Sequence, residues 1–225
     1  MPIKSPELAR IIDSTNIATL ATKQELDEMI AEAKQYNFYA INGPASYFAY
    51  LVESLKGSKT NPGFGCTRWS GADPTHCKVA AATWAVSLGA VEIDMVMNQS
   101  YLVSGLYNEA EADIRAVKEA IGPDKALKVI IECPLHSDEL IKTAAQIIID
   151  AGADAIKTGT GTEGPCTLHH LEVINQVAKG KNVWIKAAGG IRDIETVDRM
   201  LDLGVARFGI GYRSARHIIE QADAR

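Results

Sequence analysis

Residues 151–159 read AGADAIKTG, and two other stretches follow the same plan: LGAVEIDMV at 88–96 and LGVARFGIG at 203–211. In each, a glycine ends a run of helical period and opens a short apolar, β-branched run. Glycine suits the position just past a helix, where the backbone turns left-handed. The run that follows is apolar on both faces, as expected of a parallel strand held between a core and a helix layer. Each stretch therefore reads as a helix-to-strand junction.

Similar strand-like runs fall at Ile11–Ser14, Phe38–Asn42, Gly63–Thr67, Val91–Val96, Leu127–Glu132, Asp154–Thr158, Val183–Ala187 and Ala206–Ile210. All are too short for helices and are bounded by turn residues. Between them lie helical patterns such as ELDEMIAEAKQY at 25–36, YNEAEADIRAVKEAI at 107–121, DELIKTAAQIIIDA at 138–151 and DIETVDRMLDL at 193–203. Strands start about 23–36 residues apart, the size of one βα unit. Ile11–Ser14 is the candidate for an eighth strand beside seven plainer ones, and seven or eight such units predict a closed (β/α)8 barrel, with an open doubly wound sheet as the alternative. The 225 residues suit one barrel, and no Pro/Gly/Ser-rich linker divides them, so one domain over 1–225 is expected.

Composition narrows the function classes. The chain is 47% apolar and 23% charged, with a net charge of −5. That balance argues against nucleic-acid or membrane-surface partners, which leave basic patches. No apolar run is long enough to span a bilayer. The opening MPIKSPELARIIDST lacks a signal-peptide core, so a cytoplasmic location is the default expectation. Cys66, Cys77, Cys133 and Cys166 form no CxxC pair and read as free thiols. The histidines make no HxH or HExxH pattern, so neither a metal nor any other cofactor is expected. Tyr47, Tyr50, Trp69 and Trp84 fit either a subunit interface or the core and pocket, leaving a homodimer or larger homo-oligomer open.

In such barrels, reactive residues sit at the C-terminal ends of the strands. Four predicted strands carry charge there: Asp94 in EIDMVMN, Glu132 at the end of LKVIIE, Lys157 in AIKTG and Lys186 in WIKAA. A charge in a barrel strand loses hydration and needs a partner or a function. Lys157 and Lys186 occupy matching places on consecutive strands, so both should point into the barrel. Close ammonium groups and desolvation each lower a lysine pKa. A neutral lysine attacks carbonyls and forms a Schiff base. Asp94 is then placed to move protons. The competing reading makes Lys186 a phosphate ligand and Lys157 an ion-pair partner of Asp94. Farther on, AAGGIRDIETV at 187–197 and GIGYRSARHII at 209–219 set glycine turns before helices. Backbone N–H groups of such turns can cradle a phosphate, with Arg192 and Arg213 adding charge, although tight-turn chemistry alone also uses glycine.

At these residues the chain resembles the deoxyribose-phosphate aldolases. The motifs GAVEIDMVMN, LKVIIE, AGADAIKTGTG and IKAAGGIR follow in that family's order, and LARIIDST and EAKQYNFYAI resemble its opening segments. The resemblance implies a Schiff-base aldolase barrel. It would cleave 2-deoxy-D-ribose 5-phosphate reversibly to acetaldehyde and glyceraldehyde 3-phosphate. It implies that Lys157 carries the Schiff base, that Lys186 and Asp94 complete the catalytic set, and that Asp13 lies near their proton relay. Thr158 would line the substrate pocket, and Gly161, Gly189, Gly190, Gly209 and Gly211 would surround the phosphate. Asn42, Glu132 and Arg213 are added as candidate substrate-binding residues from their own places at strand ends and in the last turn.

The chain departs from that pattern in five places. Ser14 stands at a histidine position, Asn42 at a cysteine position and Gly159 at a serine position. The loop GFGCTRWSGADPTHCK at 63–78 is longer and richer in polar and aromatic residues. Gly211-Tyr212-Arg213 replaces a Ser-Ser phosphate pair. These changes keep a shifted acceptor, unphosphorylated or carboxylate-bearing and met by Arg68 and Arg213, as the alternative. A catalytically silent sugar-phosphate-binding barrel is the third reading.

Overall fold

The computed structural model describes residues 3–67 and 69–225. Eight parallel strands close into a barrel in sequence order. They are β1 (Ile12–Thr15), β2 (Ala40–Asn42), β3 (Asn61–Gly65), β4 (Glu92–Val96), β5 (Ala126–Ile130), β6 (Ala155–Lys157), β7 (Trp184–Ala188) and β8 (Val205–Gly211). Helical segments follow every strand. All eight strand-like runs of the sequence fall on these strands, with ends displaced by one to a few residues. Gly89, Gly152 and Gly204, the glycines of the three repeated junctions, all have positive φ. No described helix is long and apolar enough to cross a membrane.

Side chains alternate between two environments along each strand. Ile93, Met95, Val129, Ile156, Phe208 and Ile210 are buried in the apolar core. Barrel interiors of this kind are ordinarily filled by bulky aliphatic residues. Here Asp13, Glu92, Asp94, Lys128 and Lys186 are buried and joined by ion pairs, with Arg207 at their edge. Strand register brings these residues together. Asp94 pairs with Lys128 across β4 and β5, and Lys157 pairs with Lys186 across β6 and β7. Pairing of β7 with β8 shifts between Ile185 and Lys186, so Ala206 is an extra residue that sets Arg207 opposite Lys186. Such irregularities re-aim side chains.

A second buried ion pair ties the helical layer together. Lys78 on the helix Thr75–Leu88 meets Asp113 on the helix Tyr107–Ile121 at 2.5 Å, and both are inaccessible. Thr75 Oγ1 donates to the other Asp113 oxygen at 2.8 Å. Removing one partner of such a pair strands a charge, which costs about 3–5 kcal/mol. Asp113→Ala should therefore lower the unfolding free energy, read from urea titration, by that order, and Asp113→Leu combined with Lys78→Met should recover much of the loss. Trp84 packs against Phe48 and Phe64 with ring centroids 5.9 and 5.6 Å away, and Tyr50 Oη donates to Asp27 at 2.5 Å.

Candidate active site

Lys157 ends β6 and is 12% exposed, with its Nζ 2.6 Å from Asp94 Oδ2. It lines two adjoining cavities, of about 550 and 290 Å³. Asp94 also lines the larger one. Lys186 sits behind them, fully buried, with its Nζ 3.3 Å from the same Asp94 oxygen and paired with Asp13 Oδ2. One carboxylate oxygen thus touches both ammonium groups.

Beneath this trio lies an extended charge network. Lys128 Nζ is 2.5 Å from Glu92 Oε1, 2.7 Å from Asp94 Oδ1 and 3.4 Å from Asp13 Oδ2. Arg207 donates to Asp13 Oδ1 at 3.1 Å, and its guanidinium lies over the Tyr39 ring, 3.3 Å from the centroid. Three carboxylates (Asp13, Glu92, Asp94) therefore face four cationic side chains (Lys128, Lys157, Lys186, Arg207). With all seven ionised, the network carries one excess positive charge.

The groups respond unequally. Burial pushes Lys186 down to about 8, and Asp13 and Asp94 only partly offset it. Burial alone would raise Asp94, but Lys128, Lys157 and Lys186 together hold it well below the usual carboxylate range. Asp13 is lowered too, because Lys186, Lys128 and Arg207 outweigh its burial. Burial disfavours the Lys128 ammonium, yet Asp94, Glu92 and Asp13 hold its pKa well above the ordinary lysine value. The expectation rested equally on desolvation and on repulsion between Lys157 and Lys186; here burial is the larger cause, and Asp94 contacts both lysines.

Asp13 is fully buried beside Lys186, where the cations hold it, and lines neither cavity. Two residues expected in the pocket lie elsewhere. Thr158 is also buried; its Oγ1 donates to Ala188 O and accepts from Ala188 N, both at 2.9 Å, joining β6 to β7. Glu132 lies past the end of β5 with φ of 61°, is buried, and accepts a 2.9 Å hydrogen bond from Thr160 N. It supports the loop after β6 and lines neither cavity. Burial raises its pKa, against the hydrogen bonds from Thr160. Asn42 does line the larger cavity.

The glycines converge as expected: Gly161, Gly189, Gly190, Gly209 and Gly211 line the smaller cavity, with Arg192. Gly190 has φ of +72°, and a Cβ there would lie 2.8 Å from Pro165 Cβ. A Cβ on Gly209 would lie 2.9 Å from Ala188 Cβ and 3.3 Å from Lys186 Cε, so glycine lets β8 approach the buried lysine. Arg213 is not in the lining. It is 68% exposed and bonds Glu25 Oε1 at 3.0 Å. The helix Tyr212–Asp223 begins one residue earlier and buries Tyr212, Ala215, Ile218, Ile219 and Ala222, so its period turns Arg213 outward. Ser214 and Thr160 line the cavity instead. Arg68 lies outside the described residues.

Sequence reading missed Glu92, Lys128 and Arg207. Their signal was present as strand alternation: each stands two residues before an inward-facing position, Asp94, Ile130 or Gly209.

Taken together, a closed barrel carries a lysine at the mouth, a carboxylate shared with a second buried lysine, and a glycine-walled cavity alongside. This defines a lysine-centred site of the type that captures carbonyl carbon. The sequence model of the DeoC/LacD family aldolases matches residues 13–221, and the chain belongs to that family. It is 38% identical to a deoxyribose-phosphate aldolase of Mycoplasmopsis pulmonis, over 90% of this chain and 92% of the relative. A Sinorhizobium medicae protein of the same name is also 38% identical, over 97% of this chain and 88% of its own. Among solved structures, the deoxyribose phosphate aldolase of Aeropyrum pernix superposes with a TM-score of 0.84 at 25% identity, covering 96% of this chain and 91% of that one.

Proposed function

We propose that this protein is a class I aldolase that reversibly cleaves 2-deoxy-D-ribose 5-phosphate to acetaldehyde and glyceraldehyde 3-phosphate through a Schiff base on Lys157. The observation that carries this reading is the position of Lys157 Nζ. It opens on both cavities while touching the carboxylate that Lys186 also touches. Neutral Lys157 adds to C1 of the open-chain sugar, and loss of water gives the iminium. A base takes the C3 hydroxyl proton, the C2–C3 bond breaks, and its electron pair forms the enamine. Glyceraldehyde 3-phosphate leaves, C2 regains a proton, and water releases acetaldehyde. Lys186 and Asp94 hold and return protons, since Asp94 Oδ2 lies within reach of both amines. Asp13, Glu92, Lys128 and Arg207 position these groups and touch no substrate.

The phosphate belongs in the smaller cavity, where Gly189, Gly190 and Gly211 offer backbone N–H groups and Arg192 and Ser214 stand beside them. A carboxylate-bearing acceptor held by Arg213 loses its support, because Arg213 faces Glu25. The direct test follows acetaldehyde release from 2-deoxyribose 5-phosphate by a coupled reduction; no release with the intact protein would sink the reading. Gly190→Ala should raise KM for the phosphorylated sugar by about 10–100-fold and change kcat less, since it disturbs binding common to ground and transition states. An equal rise in KM for unphosphorylated 2-deoxyribose would remove the phosphate from this cavity. The Aeropyrum pernix structure is described as tetrameric. A homo-oligomer is our reading here as well, testable by light scattering.

A further inference from the structure

Glu132 carries two local costs. Its backbone φ is 61°, in the left-handed region that glycine favours. Among the described residues only Asn37 shares this without being glycine, and Asn37 ends a helix, where that conformation is ordinary. The Glu132 carboxyl is also buried, and its Oε2 has no hydrogen-bond partner among the described residues. Glycine would relieve both, so a carboxyl here points to a function for the side chain. It holds the turn after β6. Oε1 accepts from Thr160 N at 2.9 Å, and Oε2 faces Gly159, where a Cβ would lie 3.1 Å from it. The next residues grip the same segment: Cys133 N donates to Thr158 O at 2.8 Å, and a Cβ on Gly164 would lie 3.1 Å from Pro134 Cβ. Thr160 lines both cavities, and Gly161 lines the glycine-walled one. A Cβ on Gly161 would lie 3.1 Å from Gly189 Cα, so this turn rests directly on the glycine turn after β7.

We infer that Glu132 is a positioning residue for the phosphate end of the substrate, acting through the Thr160 N–H to fix the turn Gly159–Gly161 against Gly189. The inference rests on the placement of the phosphate in the smaller cavity, given above. Glu132 lines neither cavity, so it touches no substrate and its effect is on geometry. With the carboxyl in place, Thr160 N is bonded from behind, and the chain path through Gly161 is set before the phosphate arrives. Without it, that N–H loses its acceptor, and Thr160 stands untethered between two glycines. Phosphate binding must then order the turn, which weakens affinity. Lys157 is held separately by Asp94, so the covalent step is left largely alone.

The test uses the intact chain and the cleavage assay. Glu132→Gly removes the carboxyl and suits the positive φ, so its thermal midpoint should stay within a few degrees of wild type. Its KM for 2-deoxyribose 5-phosphate should rise about 10–30-fold, the order of one charged hydrogen bond. Its kcat should change by no more than about threefold, and KM for unphosphorylated 2-deoxyribose by no more than about twofold. Glu132→Gln keeps an oxygen acceptor for Thr160 N and should bring KM for the phosphorylated sugar to within about threefold of wild type. Gly159→Ala sets a methyl against Oε2 with the carboxyl retained, and should raise the same KM about threefold. Equal KM rises for both sugars, or a glutamine variant no better than the glycine one, would overturn the inference. So would an unchanged KM in Glu132→Gly and Gly159→Ala while Gly190→Ala still raises it, an outcome that leaves the phosphate site standing. If Gly190→Ala also leaves KM unchanged, the phosphate placement falls and this inference with it.

Discussion

Lys157→Met is expected to abolish borohydride-dependent attachment of acetaldehyde and to lower kcat for deoxyribose phosphate cleavage by about 10⁴–10⁶-fold. The reason is chemical and positional. Without the amine there is no iminium, and without an iminium the electrons of the C2–C3 bond have no acceptor. Lys186 cannot substitute, because it is fully buried and paired with Asp13. Lys128 is likewise buried and held by three carboxylates. Methionine keeps much of the lysine stem, so the cavity wall is preserved. Mass spectrometry of the trapped protein, with peptide mapping, reads the result. Persistent trapping in the variant, together with residual turnover near wild type, would move the chemistry to another residue.

Lys186→Met should reduce kcat by about 10²–10⁴-fold while leaving trapping at Lys157 detectable. Its pH profile is the more telling readout. The seven-membered charge network has one cation in excess, and Lys186, lowered to about 8, is the group that most readily gives up a proton. In the wild type, kcat/KM should rise with pH and level off above about 8. The variant should lose that limb. The sign for stability follows from the same shift. Burial lowers the Lys186 pKa from 10.5 to about 8 in the folded state, so between those values the unfolded chain binds more protons. Lys186 therefore costs stability fully below about pH 8, and the cost is relieved as pH rises towards 10.5. Removing this amine leaves three cations against three carboxylates. Lys186→Met should accordingly fold well, with a thermal midpoint within a few degrees of wild type at pH 7. A large loss of stability with an unaltered pH profile would make Lys186 structural only.

The positions of the strands were legible because parallel barrel strands are short, apolar on both faces and set off by helix-ending glycines. The junctions at Gly89, Gly152 and Gly204 carry that signal locally. Lys157, Lys186 and Asp94 were legible for a related reason: a charge interrupting such a run loses hydration and needs a partner or a function. Glu92, Lys128 and Arg207 have the same inward phase, yet they stand nearer the strand starts, where a charge reads as solvent-facing. Only closure of the barrel turns those starts into buried interior.

The amino-acid sequence by itself thus determined the barrel, its eight strands, the lysine at its mouth and the glycines beside it. Each of these is written in local periodicity or in one residue's chemistry. Tertiary structure alone decided who touches whom. It set Asp94 between two lysines, placed Asp13 and Thr158 beneath the pocket, and gave Glu132 to the loop after β6. It also turned Arg213 away and brought Ser214 to the glycine-walled cavity. These outcomes depend on strand register and on where a helix starts. A one-residue difference in either re-aims a side chain by a half-turn on a strand, or about 100° on a helix.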